Sequence, residues 1–245
     1  KPSTATHRPC ADEANSTILF KPVAGYRGAD SKVYSTADIS KLNAIDTALG
    51  YKDRYTQAHA RRVAIYAMRV ARRIGLPPDE IERIGLGGML HDFGKIGLSR
   101  RILNNTTPHL CLPMRQEVRQ HPEMGVALLK NIDFLEPVLD YIHYHHERMD
   151  GRGYPCGLKA EQIPLGAKII SVADCFDAMT SDRPYQKRKN CREAFRILRR
   201  MAGSSLCPDL VEHFIQEIES EGFIDSAYSR NDSLPRRSAG SAVHG

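Results

Sequence analysis

The sequence predicts an all-α protein, a compact multi-helix bundle. Three observations carry that expectation. Apolar residues recur every three or four positions through nearly all of residues 34–225, the spacing that lines one helical face. No stretch of useful length alternates apolar and polar residues as a half-buried strand does. Glycine and proline punctuate the periodic runs. Ser35 or Thr36 caps a first helix carrying Ala37, Leu42, Ile45 and Leu49, with Gly50 ending it. A second carries Val63, Tyr66, Ala67, Val70 and Ile74 and is closed by Gly75 and Pro77-Pro78. A third begins near Asp79 and carries Ile81, Ile84, Gly88 and Met89. A fourth, with Met114 and Val118, stops before Pro122, and a fifth runs from Glu123 through Val126 and Leu129. A sixth follows Pro137 with Val138, Leu139 and Ile142. Residues 150–157 then form a Gly-rich, non-helical loop. A seventh helix past Pro164 carries Ile169, Ile170, Ala173 and Phe176. Two later ones carry Ala194, Ile197, Leu198 and Met201, then Leu210, Val211, Phe214 and Ile218.

Residues 1–33 mix Pro, Ser, Thr, Gly and charge without periodicity and are expected to be a flexible N-terminal arm or linker; residues 226–245 are expected to be a disordered C-terminal tail. Residues 34–225 between them are expected to be the catalytic domain. The chain has 245 residues, 41% hydrophobic and 26% charged, with a net charge of +6, the balance of an ordinary globular protein. No run approaches the ~20 apolar residues that span a bilayer, so no membrane segment is expected. The first residue is Lys1 rather than Met, which predicts a fragment of a longer chain. Six cysteines are spaced irregularly with no C-x-x-C pair, so neither a disulfide framework nor a thiolate zinc site is expected; the simplest compartment is a reducing cytoplasm.

Histidine, at ten residues, is the informative count. His59 shares the face of Val63, Tyr66 and Val70, and His91-Asp92 and Lys95 extend the third helical stripe. His121 follows Val118 by three, His145 and His146 follow Ile142 by three and four, and Asp174 follows Ile170 by four. One buried histidine is usually a satisfied core residue. Five imidazoles and two carboxylates facing one interior need a common partner, because buried charge is costly unpaired. A metal centre supplies it. Imidazole and carboxylate without thiolate favour Mn, Fe, Co, Ni or Zn over Mg or Ca. Seven ligands suit two divalent ions sharing a carboxylate, and Asp92 is the expected bridge. Two such cations with two aspartates leave about +2 in the pocket, which attracts an anion. Two metals about 3.5–4 Å apart suit in-line phosphoryl displacement. The expected chemistry is attack of a metal-bridging hydroxide on a phosphodiester, with Lys95 assisting.

Other residues keep two readings. Asp177, one turn past Asp174, either orients a ligand histidine or pairs locally. The basic runs around Arg61, Arg62, Arg69, Arg72 and Arg73, and from Lys187 to Arg200, are either solvated faces or a steering field for an anion. Nucleic-acid binding lacks an aromatic platform, with Trp absent and aromatics at 7%, and is not expected. His143 falls opposite His145 and is expected on the surface.

The segment Leu90-His91-Asp92-Phe93-Gly94-Lys95-Ile96-Gly97 resembles the signature of the HD phosphohydrolase superfamily. The segment from His145-His146-Glu147 through Asp150-Gly151-Arg152-Gly153-Tyr154-Pro155 resembles the second signature of its HD-GYP subgroup. Asp174-Cys175-Phe176-Asp177-Ala178-Met179-Thr180-Ser181 and Arg183-Pro184-Tyr185 also match. The resemblance implies a bundle of the HD type with a Gly-rich GYP loop and a bacterial phosphodiesterase opening cyclic di-GMP to pGpG and/or GMP. It implies His59, His91, Asp92, His121, His145, His146 and Asp174 as ligands of two divalent metals, Fe or Mn first. Asp92 and Lys95 are the implied catalytic residues, and Lys95, Arg183, Tyr154 and Lys187 the implied substrate contacts. The implied partners are diguanylate cyclase or other signalling proteins at the GYP loop, and an upstream sensory or receiver domain.

Some positions depart from the family pattern. Tyr55 stands where some members carry a glutamate for a third metal, so two metals are expected. Gln186 precedes Lys187 where a basic residue is common, and Ser99-Arg100 replaces a common Pro-Asp. Residues 104–113, with His109 and Cys111, have no expected role. Two alternatives stay open: a catalytically weak module that binds a cyclic dinucleotide or a partner protein, and a related hydrolase of another nucleotide or a di-iron oxygenase.

Overall fold

A computed structural model of the chain describes residues 34–103, 110–182 and 187–220. The terminal segments, residues 104–109 and residues 183–186 lie outside the described residues, so the expectations for the arm, the tail, His109, Arg183, Tyr185 and Gln186 fall there. The described chain is helical with no β-strand, only isolated bridges such as Asp150 with Lys159. In order it forms α1 (Thr36–Lys52), α2 (Arg54–Arg73), α3 (Pro78–Leu90), α4 (Arg100–Leu103), α5 (Leu112–Val118), α6 (His121–Leu129), α7 (Leu139–Tyr144), α8 (Leu165–Thr180), α9 (Cys191–Met201) and α10 (Pro208–Ser220). Short 3-10 turns at Phe93–Gly97, Asp133–Val138 and Ala160–Gln162 join some of them. No described helix is long and apolar enough to cross a membrane. No disulfide joins the described cysteines.

Each helix follows from its local sequence. Ser35 caps α1 in a reciprocal box with Asp38. On α2, His59, Val63, Ala67 and Val70 are buried along one face. On α9, Cys191, Ala194, Phe195 and Leu198 are buried while Arg192, Arg196, Arg199 and Arg200 stay exposed. Two clusters form the core. One joins Val63, Ile84, Ile169, Phe176, Leu198 and Phe214; the other joins Leu42, Leu86, Leu90, Phe93, Leu129 and Ile142. Helix α3 feeds both, through Ile81 and Ile84 on one side and Leu86 and Leu90 on the other.

Four boundaries differ from the sequence expectation. Gly50 does not end α1, which continues to Lys52; Asp53 breaks it by turning extended and accepting from the Tyr55 amide (2.9 Å) and the Thr56 hydroxyl (2.6 Å), which starts α2. Helix α3 stops at Leu90, so His91, Asp92 and Lys95 belong to the turn beyond it rather than to the helix. Pro122 does not separate two helices. It sits in the first turn of α6, where its missing N–H has no helical partner to lose, and His121 opens that helix. The sixth predicted helix divides into a 3-10 turn up to Val138 and α7 from Leu139.

The turn after α3 presses directly on α6. A Cβ added at Gly94 would lie 1.9 Å from the His121 carbonyl oxygen and 2.6 Å from the Gly125 nitrogen. Only a residue without a side chain allows that approach, and it brings Asp92 beside His121. Gly94→Ala is therefore expected to cost about 3 kcal/mol or more through overpacking, read as a lower urea midpoint; an unchanged midpoint would show that this contact does not bind the turn to α6.

Candidate metal centre

The seven expected ligands converge from five segments. Helix α2 supplies His59, the turn after α3 supplies His91 and Asp92, and α6 supplies His121 at its first position. The end of α7 supplies His145 and His146, and α8 supplies Asp174. His59, His91 and Asp174 bring donor atoms within one metal-sized cluster, and His121, His145 and His146 do so in another. Asp92 lies between the two. Its Oδ1 is 3.3 Å from His121 Nε2, while its Oδ2 is 3.4 Å from His91 Nε2 and 3.7 Å from His59 Nε2. His59, His91, Asp92, His121 and His145 are buried, whereas His146 is half-buried and the Asp174 side chain is 17% exposed, so the centre opens to solvent beside those two.

Backbone chemistry sets the direction of three imidazoles. His91 Nδ1 lies 2.7 Å from the Gly88 carbonyl, His121 Nδ1 2.7 Å from that of Val118, and His145 Nδ1 2.7 Å from that of Ile142. Each carbonyl belongs to the last turn of a helix and has no amide partner within it. A carbonyl only accepts, so each Nδ1 carries the hydrogen and a neutral ring turns its Nε2 lone pair inward. Burial lowers the pKa of His121 to about 3 and that of His146 to about 4, and carries His145 well below the ordinary imidazole value, so these rings are neutral near pH 7. Burial raises the Asp92 carboxyl, but the charge of Lys95 leads the groups that outweigh it and hold Asp92 well below the usual carboxylate range.

This leaves acceptors facing acceptors. His121 Nε2 is 3.3 Å from both Asp92 Oδ1 and His145 Nε2, with no proton to place between them. His91 Nε2 and Asp92 Oδ1 are buried without a hydrogen-bond partner. Such atoms lose hydration without compensation. A cation satisfies them all, and the imidazole and carboxylate set suits a divalent transition metal.

His59 is held differently. Its Nε2 is 3.1 Å from Asp174 Oδ1 and its Nδ1 is 2.6 Å from Asp177 Oδ2. Burial lowers its pKa, but Asp174 and Asp177, with Asp92, outweigh this and raise it to about 9. Asp177 in turn receives Arg62 in a two-pronged pair, Nε to Oδ1 at 2.6 Å and Nη2 to Oδ2 at 2.9 Å. Of the two sequence readings of Asp177, the structure places it on the ring of His59. Tyr55 lies parallel to that ring at 6.4 Å.

Lys95 sets its Nζ 2.5 Å from Asp92 Oδ2 and is 28% exposed, at the edge of the centre. The Tyr154 ring stacks on His146 at 4.7 Å and 26° and meets His121 edge-on at 6.5 Å; burial, then Asp92 and Asp174, raises its phenol pKa. Lys187 is exposed ahead of α9, and Arg183 lies outside the described residues. His143 is half-buried rather than exposed, its ring 4.6 Å from that of Tyr144.

Two positions of the site are not legible in the sequence. Arg62 reads as part of a basic face, although its place three residues after His59 puts it on the same side of α2. Glu147 carries no signal of its own beside the two histidines. It is buried, and its carboxylate accepts from the Cys156 (2.7 Å), Gly157 (3.0 Å) and Leu158 (2.9 Å) amides, pinning the loop that carries Tyr154. Gly153 permits the fold-back, since a Cβ there would lie 2.5 Å from the Arg148 nitrogen and the Glu147 Cα. The other basic residues of the two runs are largely tied to acids, Arg61 to Asp46, Arg73 to Glu217 at 3.4 Å and Arg199 to Glu212 at 2.9 Å.

Two outcomes follow from this geometry. His59 holds both its protons below a pKa of about 9, and ligation needs its Nε2 lone pair. Metal uptake at pH 7.5 should therefore release about one proton from His59, falling away as the pH passes 9; calorimetry in buffers of different ionisation enthalpy measures it, and equal heats in all buffers would contradict it. Glu147→Gln puts an amide NH2 against backbone amides, so trypsin should cut after Arg152 about tenfold faster in the folded variant. An unchanged rate would show that the carboxylate does not anchor the loop.

Comparison with known proteins agrees with this layout. A family model described as an HD domain matches residues 45–210. A cyclic di-GMP phosphodiesterase of Thermotoga maritima is 37% identical over 192 residues, 77% of this chain and 51% of the relative. A cyclic di-GMP phosphodiesterase of Pseudomonas aeruginosa is 42% identical over 155 residues, 61% of this chain and 36% of the relative. The chain thus spans about half or less of the length of these relatives. Among solved structures, a cyclic GMP-AMP specific phosphodiesterase of Vibrio cholerae shares the fold, with a TM-score of 0.58 at 23% identity over 75% of this chain and 49% of that one. With the signature segments in order along a matched helical core, the chain belongs to the HD domain family, of the HD-GYP type, whose hydrolase domain implies use of a divalent metal.

Proposed function

We propose that this domain hydrolyses a phosphodiester bond of a cyclic dinucleotide, cyclic di-GMP first, to pGpG and/or GMP. The observation that carries the proposal is Asp92, a buried carboxylate facing His121 with one oxygen and His91 and His59 with the other. His59, His91 and Asp174 would hold one divalent ion and His121, His145 and His146 a second, with Asp92 available to both. Iron or manganese is the proposed occupant, since the set mixes imidazole with carboxylate. When bound, such a pair lowers the pKa of water and polarises phosphoryl oxygens. The names of the relatives at 37% and 42% identity support the substrate class.

The chain's own groups have separate tasks. Lys95 places a cation where phosphoryl oxygens would enter, beside Asp92. Asp177 and Arg62 fix the ring of His59, so its orientation is set before any ligand arrives. Tyr154 covers one side of His146 and keeps water from that side of the centre. A protein partner at the loop and a sensory or receiver domain upstream belong to the same proposal.

The direct test is metal analysis of protein purified without oxygen, followed by incubation with cyclic di-GMP and with cyclic GMP-AMP while linear products are followed. Turnover of cyclic di-GMP is expected, with about two ions per chain. Binding without turnover by metal-loaded protein would favour the non-catalytic module instead. Asp92→Ala should lose most of the bound metal and at least about 100-fold in turnover, because it removes the shared ligand; normal metal content in a folded variant would refute the bridging assignment.

A further inference from the structure

Arg119 sits at the mouth of the centre. It follows the last residue of α5, two positions before the ligand His121, and its side chain is exposed. Its guanidinium carbon lies 4.6 Å from the centroid of the Tyr154 ring, the same ring that stacks on His146. The arginines nearest the centre and its loop are committed to acids, Arg62 to Asp177 and Arg148 to Asp150. Among the described residues Arg119 is paired with no carboxylate, so its charge is held in place by an aromatic face and left open to an anion. A planar guanidinium keeps its N–H fork available while it lies on a ring, and that fork matches the oxygens of a phosphate.

A cyclic dinucleotide carries two phosphodiesters. The centre takes one, and the other remains an anion that must sit close by within the same small ring. We propose that Arg119 binds this second phosphate, with Tyr154 as the platform that sets its position. The assignment rests on the proposed cyclic dinucleotide activity. It makes Arg119 a determinant of which phosphodiesters are accepted, since a substrate with one phosphate gains nothing from it. Lys95 and Arg119 then have distinct duties. Lys95 touches a carboxylate of the centre, and Arg119 stands one aromatic ring farther out.

The experiment compares the wild-type protein with Arg119→Ala and Arg119→Lys, all metal-loaded, on cyclic di-GMP and on bis(p-nitrophenyl) phosphate, which has one phosphodiester. Loss of a charge-assisted hydrogen-bonding pair should raise KM for cyclic di-GMP about 10–100-fold in Arg119→Ala, with kcat within about twofold. Turnover of the single phosphodiester should stay at the wild-type level, and Arg119→Lys should recover part of KM by keeping the charge without the fork. An unchanged KM in Arg119→Ala, with the wild type active on cyclic di-GMP, overturns this assignment and leaves the proposed function standing. An equal fall on both substrates also overturns it, because Arg119 would then act on the centre through Tyr154. A wild type that cleaves only bis(p-nitrophenyl) phosphate removes the proposed substrate class and this inference with it.

Discussion

Inward-facing lone pairs are the constraint on which the rest depends. His91, His121 and His145 each give their Nδ1 hydrogen to a carbonyl in the last turn of a helix, so their Nε2 atoms point at one another and at Asp92. Helix ends leave carbonyls without amide partners, and here those carbonyls orient the imidazoles. The same bonds that satisfy the backbone leave the interior short of protons. Buried acceptors then face one another at 3.3 Å, and only positive charge among them relieves the arrangement.

Besides the His59 ring, positive charge is distributed around the rim of the centre. Lys95 lies against Asp92, Arg62 closes on Asp177 behind His59, and Arg119 rests on the Tyr154 ring. Each cation has a different partner: a carboxylate of the centre, a carboxylate behind His59, and an aromatic ring. Arg62 is spent on orientation, because both prongs of its guanidinium are taken. Lys95 and Arg119 stand on the partly exposed side, where an anion would arrive. An exposed arginine on a tyrosine ring and a half-buried one clasped by a carboxylate thus stand in unlike places around one site, although both read as basic residues near a helix.

The loop after His146 is built with equal economy. Glu147 follows the two histidines directly, and its buried carboxylate gathers three amides from residues 156–158. The loop therefore closes on the residue next to His146, and Tyr154 returns to cover that ring. The flat ring, the anchoring carboxylate and the bare Gly153 act as one unit.

Local spacing was enough to place most helices and to pick out the seven donors, because a 3.6-residue period is a property of neighbouring residues. His59 and Asp174 could be read on the faces of Val63 and Ile170 for that reason. The family resemblance added the order of the motifs. Tertiary structure decided what periodicity does not encode. It ended α3 at Leu90 and turned His91, Asp92 and Lys95 into a tight bend, since Gly94 packs against the backbone of α6, far off in sequence. It gave Asp177 and Arg62 to His59 and Glu147 to the loop amides. It also left Arg119 on a tyrosine 35 residues away, a contact that exists only once the chain has closed on itself.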